Sequence, residues 1–381
     1  MKVAICTIFN GNYNYGGQLQ AYALSKTIKS IGIKAEVIRY NGHDNIVYPT
    51  TLSRLKQYSI PEIICKFKER KLAKKSYLIS NMLKNRFEAY NRFASENIPS
   101  SNKIYDSDCN GMADVYDAFV VGSDQVWNPN VINNLYSLNF DLKPNTLKIA
   151  YAASISRSKL SLSEQKRMLP LLTKFNSISV REKTAANYLS RMLPDNKITV
   201  TLDPTLLLSA KDWEQIATKR EINEKYVLLY AFSECSFKNE LVKYYKNKKV
   251  TVYYIPFVKN QYNTFDGEEE NNMLPLWNIG PAEFLSLIKN AEAIITDSFH
   301  GAVFSIIFNK QFIVFERDSS GKTSKNSRIY DLLNTFHLMN RLVRCTWSSE
   351  METIIDYNSV NTIKEHKVIE SITWLQRALS L

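Results

Sequence analysis

Short runs of apolar residues alternate along the chain with segments in which apolar residues recur at helical spacing. The runs predict nine β-strands, at residues 3–9, 35–40, 118–123, 148–154, 177–182, 226–232, 250–257, 293–298 and 312–317. The segments between and after them predict helices at residues 18–31, 52–93, 163–174, 183–193, 236–247, 281–290, 301–309, 326–336 and 362–380. Because near-continuously apolar strands are typical of parallel sheets covered by helices on both faces, the pattern predicts an α/β protein.

The chain of 381 residues is longer than a single hydrophobic core usually supports, so we expect two domains. A break near residues 194–204 contains two prolines, and a new strand–helix series follows it. We therefore predict two doubly wound, Rossmann-like domains at 1–200 and 201–361, with a final helix at 362–381 that can cross back to the first. Ligands of such sheets bind beyond the carboxyl ends of the strands, so the cleft between the facing domains is the expected site.

Composition narrows the classes of partner. The five cysteines are far apart and form no CxxC pair, and no run is long enough for a signal peptide or a transmembrane span, so a reduced, cytoplasmic setting is expected. The net charge of +12 favours anionic partners such as phosphorylated small molecules or a lipid surface. Nucleic acid is not expected, because no helix-turn-helix, zinc-finger or RNA-binding signature is present.

The most basic segment of the chain is residues 66–86, which hold eight Lys or Arg and one acid. Its apolar residues recur at helix-like intervals. Such a segment is compatible with a helix lying on the anionic inner face of a cell membrane, as a peripheral contact. A solvated helix face that packs on its own domain is the alternative, and the pattern favours it.

Polar residues cluster where predicted strands end. After the first strand an Asn- and Gly-rich turn leads into a helix, and its side chains suit sugar hydroxyls and sugar faces. The acceptor-binding candidates in this turn and the helix that follows are Asn12, Asn14, Tyr15, Gly16, Gly17 and Gln20. An Asn/Gly-rich turn without a ligand is the alternative.

Two further strand ends carry charged side chains. Asp124 and Gln125 follow the strand at 118–123 and suit a sugar, or else cap a helix beside a packed Trp127. Arg181 lies at the end of the strand at 177–182, and its guanidinium can bind a carboxylate or phosphate through two hydrogen bonds. Its alternative is a salt bridge to Glu182 or Asp203.

The stretch TDSFHG, residues 296–301, joins an apolar strand to an apolar helix. Ser298 or Asp297 can cap that helix, which places His300 in the first turn beside unpaired backbone N–H groups. The place suits a phosphate or carboxylate next to an imidazole that titrates near neutral pH. A capping turn with a packed histidine is the alternative.

Six motifs, in order, resemble the bacterial polysaccharide pyruvyl transferase family. They read NYGGQLQAYAL, VVGSDQVWNP, YAASIS, SVREKTA, LDPTLLL and TDSFHGAVFSIIF. The resemblance implies a glycosyltransferase-B-like fold, with the acceptor on the N-terminal domain and the donor on the C-terminal one. It also implies transfer of a pyruvyl group from phosphoenolpyruvate to a sugar, which forms a cyclic ketal and releases phosphate. The implied acceptor is a surface polysaccharide or its lipid-linked oligosaccharide precursor.

By the same resemblance, His300 and Arg181 are the catalytic candidates. Many family members carry arginine two residues before the histidine, where this chain has Ser298, so a second cation must come from elsewhere. The donor-binding candidates are Ser298, Phe299, Gly301, Lys322, Lys325 and Arg328, with Arg317 in the same loop. No metal or cofactor is expected. A nucleotide-sugar glycosyltransferase of the same architecture and a non-catalytic glycan-binding protein remain the alternatives.

Overall fold

The computed structural model describes residues 1–41, 77–157, 159–233, 235–256, 272–317, 326–343 and 353–380. Within the helix at 77–97, side chains are described from residue 83 onward. The five lysines of the basic segment between 66 and 75, and the donor candidates Lys322 and Lys325, lie outside the described residues.

Two parallel sheets form the framework. The first has the order β3-β2-β1-β4-β5-β6-β7, and the second has the order β10-β9-β8-β11-β12-β13. The strands of the first are β1 Lys2–Cys6, β2 Lys34–Tyr40, β3 Ser100–Ile104, β4 Ala118–Val121, β5 Leu147–Ala153, β6 Ser177–Val180 and β7 Ile198–Val200. Those of the second are β8 Tyr226–Tyr230, β9 Thr251–Tyr254, β10 Met273–Pro275, β11 Ala293–Thr296, β12 Gln311–Phe315 and β13 Leu342–Val343. The prediction of two doubly wound α/β domains is confirmed.

Helices connect the strands and cover both sheets. The described helices are α1 Tyr15–Ser30, α2 Tyr77–Asn97, α3 Asn134–Ser137, α4 Leu162–Leu172, α5 Lys183–Met192, α6 Ala210–Glu214, α7 Lys238–Asn247, α8 Pro281–Asn290, α9 Phe299–Ile307, α10 Ser327–Thr335 and α11 Tyr357–Ala378. Helix α9 is buried along its whole length, because its sequence is apolar except for His300 and Ser305. It therefore forms part of the core and holds its first turn rigidly at the end of β11.

All nine predicted strands are present, and the four that the apolar pattern missed are the edge strands of the two sheets: β3, β7, β10 and β13. An edge strand is covered on fewer sides than a central one. Of the five residues of β7 and β13, three are half-buried, one is exposed and one is buried, whereas β4 and β8 are buried throughout. The missing apolar signal therefore follows from position in the sheet.

The last helix packs on the first half of the chain. The Ser371 hydroxyl of α11 accepts a hydrogen bond of 3.0 Å from the backbone N–H of Leu202, and the rings of Trp374 and Tyr151 lie 6.0 Å apart. This helix begins at Tyr357, five residues before the predicted start at 362. The domain boundary at residue 200 stays a prediction.

Candidate active site

A cavity of about 340 Å³ lies between the two domains and is lined by residues of both. Its walls come from the turn after β1, the strand end at Asp124 and Gln125, the helix α2, and the ends of β8, β11 and β12. This is the position that parallel sheets give to their ligands, beyond the carboxyl ends of the strands.

The first turn of α9 forms one wall of the cavity. Ser298 caps the helix, since its hydroxyl accepts a hydrogen bond of 3.3 Å from the N–H of Gly301. The Ser298 N–H in turn donates to the Thr296 hydroxyl at 3.0 Å. A Cβ at Gly301 would lie 2.4 Å from the same hydroxyl oxygen, so only glycine fits there. The turn is therefore a tightly packed, satisfied cap.

Asp297, the other capping candidate, has a different role. Its carboxylate is fully buried and accepts hydrogen bonds from the N–H groups of Phe232 and Ser233, at 2.8 and 2.9 Å. Its Oδ2 also lies 3.3 Å from Nε of Arg317. Asp297 thus ties the loop after β8 and the loop after β12 to the end of β11, behind the cavity wall.

His300 lies between Gly16 and Asp203. The imidazole is nine-tenths buried, lines the cavity, and has its Nε2 3.8 Å from Oδ2 of Asp203. This distance is that of an ion pair rather than a hydrogen bond. A Cβ at Gly16 would lie 1.9 Å from Nδ1 of His300, so the imidazole ring occupies space that only a glycine at position 16 leaves free.

The carboxyl of Asp203 is held ionised. Burial raises the pKa of Asp203, but the neighbouring imidazole of His300 and the guanidinium of Arg181 outweigh burial and hold that pKa well below its usual range. The structure therefore pairs a histidine at the cavity surface with a buried carboxylate behind it.

Arg181 lies behind the cavity wall and is bound to three carboxylates. Its Nη1 donates to Asp203 at 2.6 Å, its Nη2 to Asp124 at 3.2 Å, and its Nε to Glu182 at 3.3 Å. Burial alone lowers the pKa of Arg181, but these carboxylates outweigh burial and raise it. The geometry corresponds to the alternative that the sequence left open, a salt bridge to Glu182 or Asp203. A direct contact of Arg181 with a donor stays a prediction.

Phe299 connects the arginine to the cavity. Its ring faces the guanidinium of Arg181 at 4.5 Å and meets the His300 ring edge to face at 5.1 Å. Because Phe299 lines the cavity, a change in the position of Arg181 would be transmitted to the surface that a ligand contacts.

Arg317 and Arg328 place two guanidinium groups in the cavity wall near the start of α9. Arg317 donates from Nε to the backbone carbonyl of Asp297 at 3.1 Å, and its guanidinium faces the Phe232 ring at 4.2 Å. Arg328, on α10, is buried, and its Nε has no hydrogen-bond partner among the residues that the structure describes. Helix α10 is held to the first domain by Asp331, which accepts hydrogen bonds from the N–H and the hydroxyl of Thr184 at 2.9 and 3.1 Å.

The acceptor candidates separate into residues that line the cavity and residues that support it. Those that line it are Asn12, Asn14, Tyr15, Asp124 and Gln125. Asn14 also caps α1 by accepting from the Gly17 N–H at 3.3 Å, and the Tyr15 hydroxyl donates to the carbonyl of Ile279 at 2.8 Å. Gly17 is close to Asn12, since a Cβ there would lie 2.4 Å from Nδ2 of that residue.

Gln20 does not face the cavity, so its prediction as an acceptor-binding residue is not matched by its position. It is fully buried, its Nε2 donates to the Thr7 hydroxyl at 2.8 Å, and its Oε1 accepts from the Ser123 N–H at 3.1 Å. Gln20 thus links α1 to the ends of β1 and β4. Trp127 is likewise packed, with its indole N–H donating to the Tyr136 carbonyl at 3.1 Å.

Sequence reasoning missed an aromatic and cationic wall contributed by α2 and β8. Its members line the cavity and are Arg86, Phe87, Tyr90, Tyr230 and Phe232. The Phe87 ring lies 4.1 Å from that of Tyr13, which is 40% exposed. No signal within the sequence of α2 indicates that it reaches the second domain. Asp203 was recognised only as a possible partner of Arg181, although it stands in the LDPTLLL motif.

Only the end of the basic segment 66–86 has described side chains. Arg86 does not face solvent: it is buried and donates to the carbonyls of Pro256 at 2.8 Å and Leu276 at 3.0 Å. This corrects the interpretation of its last residue as part of a membrane-facing surface. In the part of the chain that the structure describes, no helix is long and apolar enough to cross a membrane.

The fold and the cavity define a two-domain α/β protein of the glycosyltransferase-B architecture, with a histidine–carboxylate pair and arginines at the interdomain cleft. The chain belongs to the polysaccharide pyruvyl transferase family, whose model matches residues 14–319. The expected family is thereby confirmed. No curated protein matches the sequence.

Solved structures resemble the chain in fold. The UDP-GlcNAc 2-epimerase of Methanocaldococcus jannaschii, in complex with UDP-GlcNAc and UDP, has a TM-score of 0.53 and 16% identity over 100% of this chain and 99% of its own. The Neisseria meningitidis UDP-GlcNAc 2-epimerase has a TM-score of 0.48 and 12% identity, covering 98% and 100%. Escherichia coli heptosyltransferase WaaC with ADP has a TM-score of 0.39 and 12% identity, covering 96% and 100%. Because the sequence identity is only 16%, the likeness to the Methanocaldococcus jannaschii enzyme shows a shared fold alone.

Proposed function

We propose that this chain transfers the pyruvyl group of phosphoenolpyruvate to two hydroxyls of one sugar residue, forming a cyclic ketal and releasing inorganic phosphate. Family membership supports pyruvyl transfer to a polysaccharide. The observation that carries the finer statement is the pairing of His300 with Asp203 at a cavity that also presents Arg317 and Arg328. The reaction needs a proton donor next to groups that bind the anionic phosphoenolpyruvate. His300 is the candidate proton donor, and the two arginines are the candidate anion-binding groups.

The reaction balances without a metal or a cofactor. A proton adds to the methylene carbon of phosphoenolpyruvate, and its second carbon becomes an oxocarbenium-like centre. One sugar hydroxyl attacks that carbon, the carbon–oxygen bond to phosphate breaks, and the second hydroxyl then closes the ring. Each hydroxyl loses one proton, so the two attacks release two protons. One replaces the proton taken up by the methylene carbon, and the other goes to the departing phosphate. The protein must therefore supply an acid and base, anion contacts and orientation.

In this proposal His300 moves the proton and Asp203 stabilises the charged imidazole. The ionised carboxylate of Asp203 lies behind the ring, with its Oδ2 3.8 Å from Nε2 of His300. Arg181 is a positioning residue, because its guanidinium holds Asp203 and supports the Phe299 ring instead of facing the cavity. Ser298, Phe299 and Gly301 shape the anion-facing start of α9.

The acceptor sugar occupies the opposite wall in this proposal. Asn12 and Gln125 offer amide groups there, Asp124 offers a carboxylate, and Tyr13 with Phe87 offers an aromatic face. Aromatic rings with polar neighbours suit the apolar faces and the hydroxyls of a sugar. A lipid-linked oligosaccharide as acceptor, and a peripheral contact with the inner membrane face through residues 66–86, remain hypotheses that this site does not test.

The proposal is tested by incubating the purified chain with phosphoenolpyruvate and lipid-linked glycans extracted from the source cells. We expect release of inorganic phosphate in step with a mass gain of the glycan equal to one pyruvyl ketal. Release of a nucleotide from a nucleotide sugar, without phosphate from phosphoenolpyruvate, would instead establish a glycosyltransferase. Glycan binding without any turnover would establish a non-catalytic protein.

A further inference from the structure

Arg328 is a buried cation without a partner. Its residue is 6% exposed, and the described part of the chain offers it no hydrogen bond or ion pair. Every other buried arginine of the site is satisfied: Arg181 by carboxylates and Arg86 by carbonyls. Burying an unpaired charge is strongly unfavourable, so a protein that retains one has a use for it.

Two other arginines, Arg181 and Arg317, lie near enough to Arg328 to repel its charge. Burial, together with the charges of Arg181 and Arg317, lowers the pKa of Arg328 to about 10, although the carboxylates of Glu182 and Asp124 act in the opposite direction. Glu182 leaves one carboxylate oxygen unpartnered, yet it forms its ion pair with Arg181 and none with Arg328. An anion entering the cavity would relieve this repulsion and satisfy the open N–H groups.

We propose that Arg328 and Arg317 together form the binding site for the phosphoryl group of the donor. Both residues line the same cavity, next to the start of α9 at Ser298 and His300. Two guanidinium groups match the several oxygens of a phosphate dianion better than a single carboxylate would. The identity of the donor rests on the proposed function, whereas the phosphate site itself does not.

The site has a consequence that runs against the usual effect of a core mutation. Arg328→Met removes an unpaired buried charge and keeps most of the volume, so the ligand-free variant should be more stable than the wild-type protein. We expect a rise of the unfolding midpoint by about 2 °C or more. The same change should weaken phosphate binding by about tenfold or more, the typical effect of losing a charge-assisted hydrogen bond.

Thermal unfolding and calorimetry with inorganic phosphate test the site without any turnover. Phosphate should raise the unfolding midpoint of the wild-type protein and should not raise that of Arg328→Met. Arg341→Met is the matched control, because Arg341 is buried but lies away from the cavity, and it should keep the phosphate response. Arg328→Lys, which keeps the charge without the planar fork, replaces the methionine variant if that one does not fold.

The outcomes separate this site from the proposed function. No phosphate response in the wild-type protein, or an equal response in the Arg328 variants, overturns the phosphate site. Competition of phosphoenolpyruvate with phosphate supports both the site and the proposed function. Competition by UDP or ADP but not by phosphoenolpyruvate supports the phosphate site and rejects the proposed donor.

Discussion

The contact between Gly16 and His300 allows a test of the active-site geometry that alters neither catalytic residue. A Cβ at position 16 would lie 1.9 Å from Nδ1 of the imidazole and 2.3 Å from two of its carbon atoms. Ordinary contact begins near 3.4 Å, so in Gly16→Ala the ring must retreat by the difference between 3.4 and 1.9 Å, about 1.5 Å. The retreat displaces His300 from its place beside Asp203.

The structure also indicates how much this change should cost. A misplacement of about 1 Å at a reacting group can lower turnover ~100-fold. Stability should change much less, because alanine gains about 1 kcal/mol of helix propensity over glycine in α1, while overpacking of the site costs about 1–3 kcal/mol. We therefore expect Gly16→Ala to fold and to have a kcat about 100-fold lower than the wild-type value.

Phosphate release from phosphoenolpyruvate in the presence of acceptor measures this kcat, and the NMR signals of the His300 ring report its displacement independently of activity. Gly111→Ala is the matched control, since a Cβ at Gly111 would meet no atom within 4 Å. A folded Gly16→Ala protein with wild-type kcat and unshifted His300 signals would refute the assigned geometry.

Three further predictions concern the residues around the histidine. His300→Ala should lower kcat by about 100-fold or more with little change in folding, as for a positioned acid or base; undiminished turnover would remove His300 from the mechanism. Arg181→Met should lower the free energy of unfolding by about 3 kcal/mol in chemical denaturation, because it leaves three buried carboxylates without their cation; a change below about 1 kcal/mol would contradict its role as their partner. Asp203 has a lowered folded-state pKa, so its contribution to stability is present above its unfolded pKa of about 3.9 and is lost as the pH falls below that value. The stability difference between the wild-type protein and Asp203→Asn should therefore shrink below about pH 4, and a difference independent of pH would count against the ionised pair.

The central strands of both sheets could be predicted because strands that are buried on both faces consist almost entirely of apolar residues. Strands β4 and β8 are buried along their whole length, and their apolar runs reflect this. Edge strands such as β3 carry a weaker signal, since every residue of β3 is at least partly exposed. Whether so polar a segment pairs with a sheet depends on a neighbour distant in sequence, in this case β2.

The capped turn before α9 could also be predicted, because its hydrogen bonds are local. Ser298 caps the helix three residues before Gly301, and this spacing is visible in the sequence. The choice between Ser298 and Asp297 was not visible, because Asp297 turns to backbone groups of Phe232 and Ser233 that the fold brings to it.

The sequence by itself determined the fold class, the central strands and the polar positions at their ends, since these depend on local periodicity and capping. The tertiary structure decided which of those polar residues face a ligand. Arg181 lies close enough to Asp203 and Asp124 to be neutralised by them, although they are 22 and 57 residues away. Arg328 reaches the same region but forms no ion pair with a carboxylate of the described residues. Burial makes this difference in partners decisive, because a buried guanidinium must be paired by the protein or by its ligand.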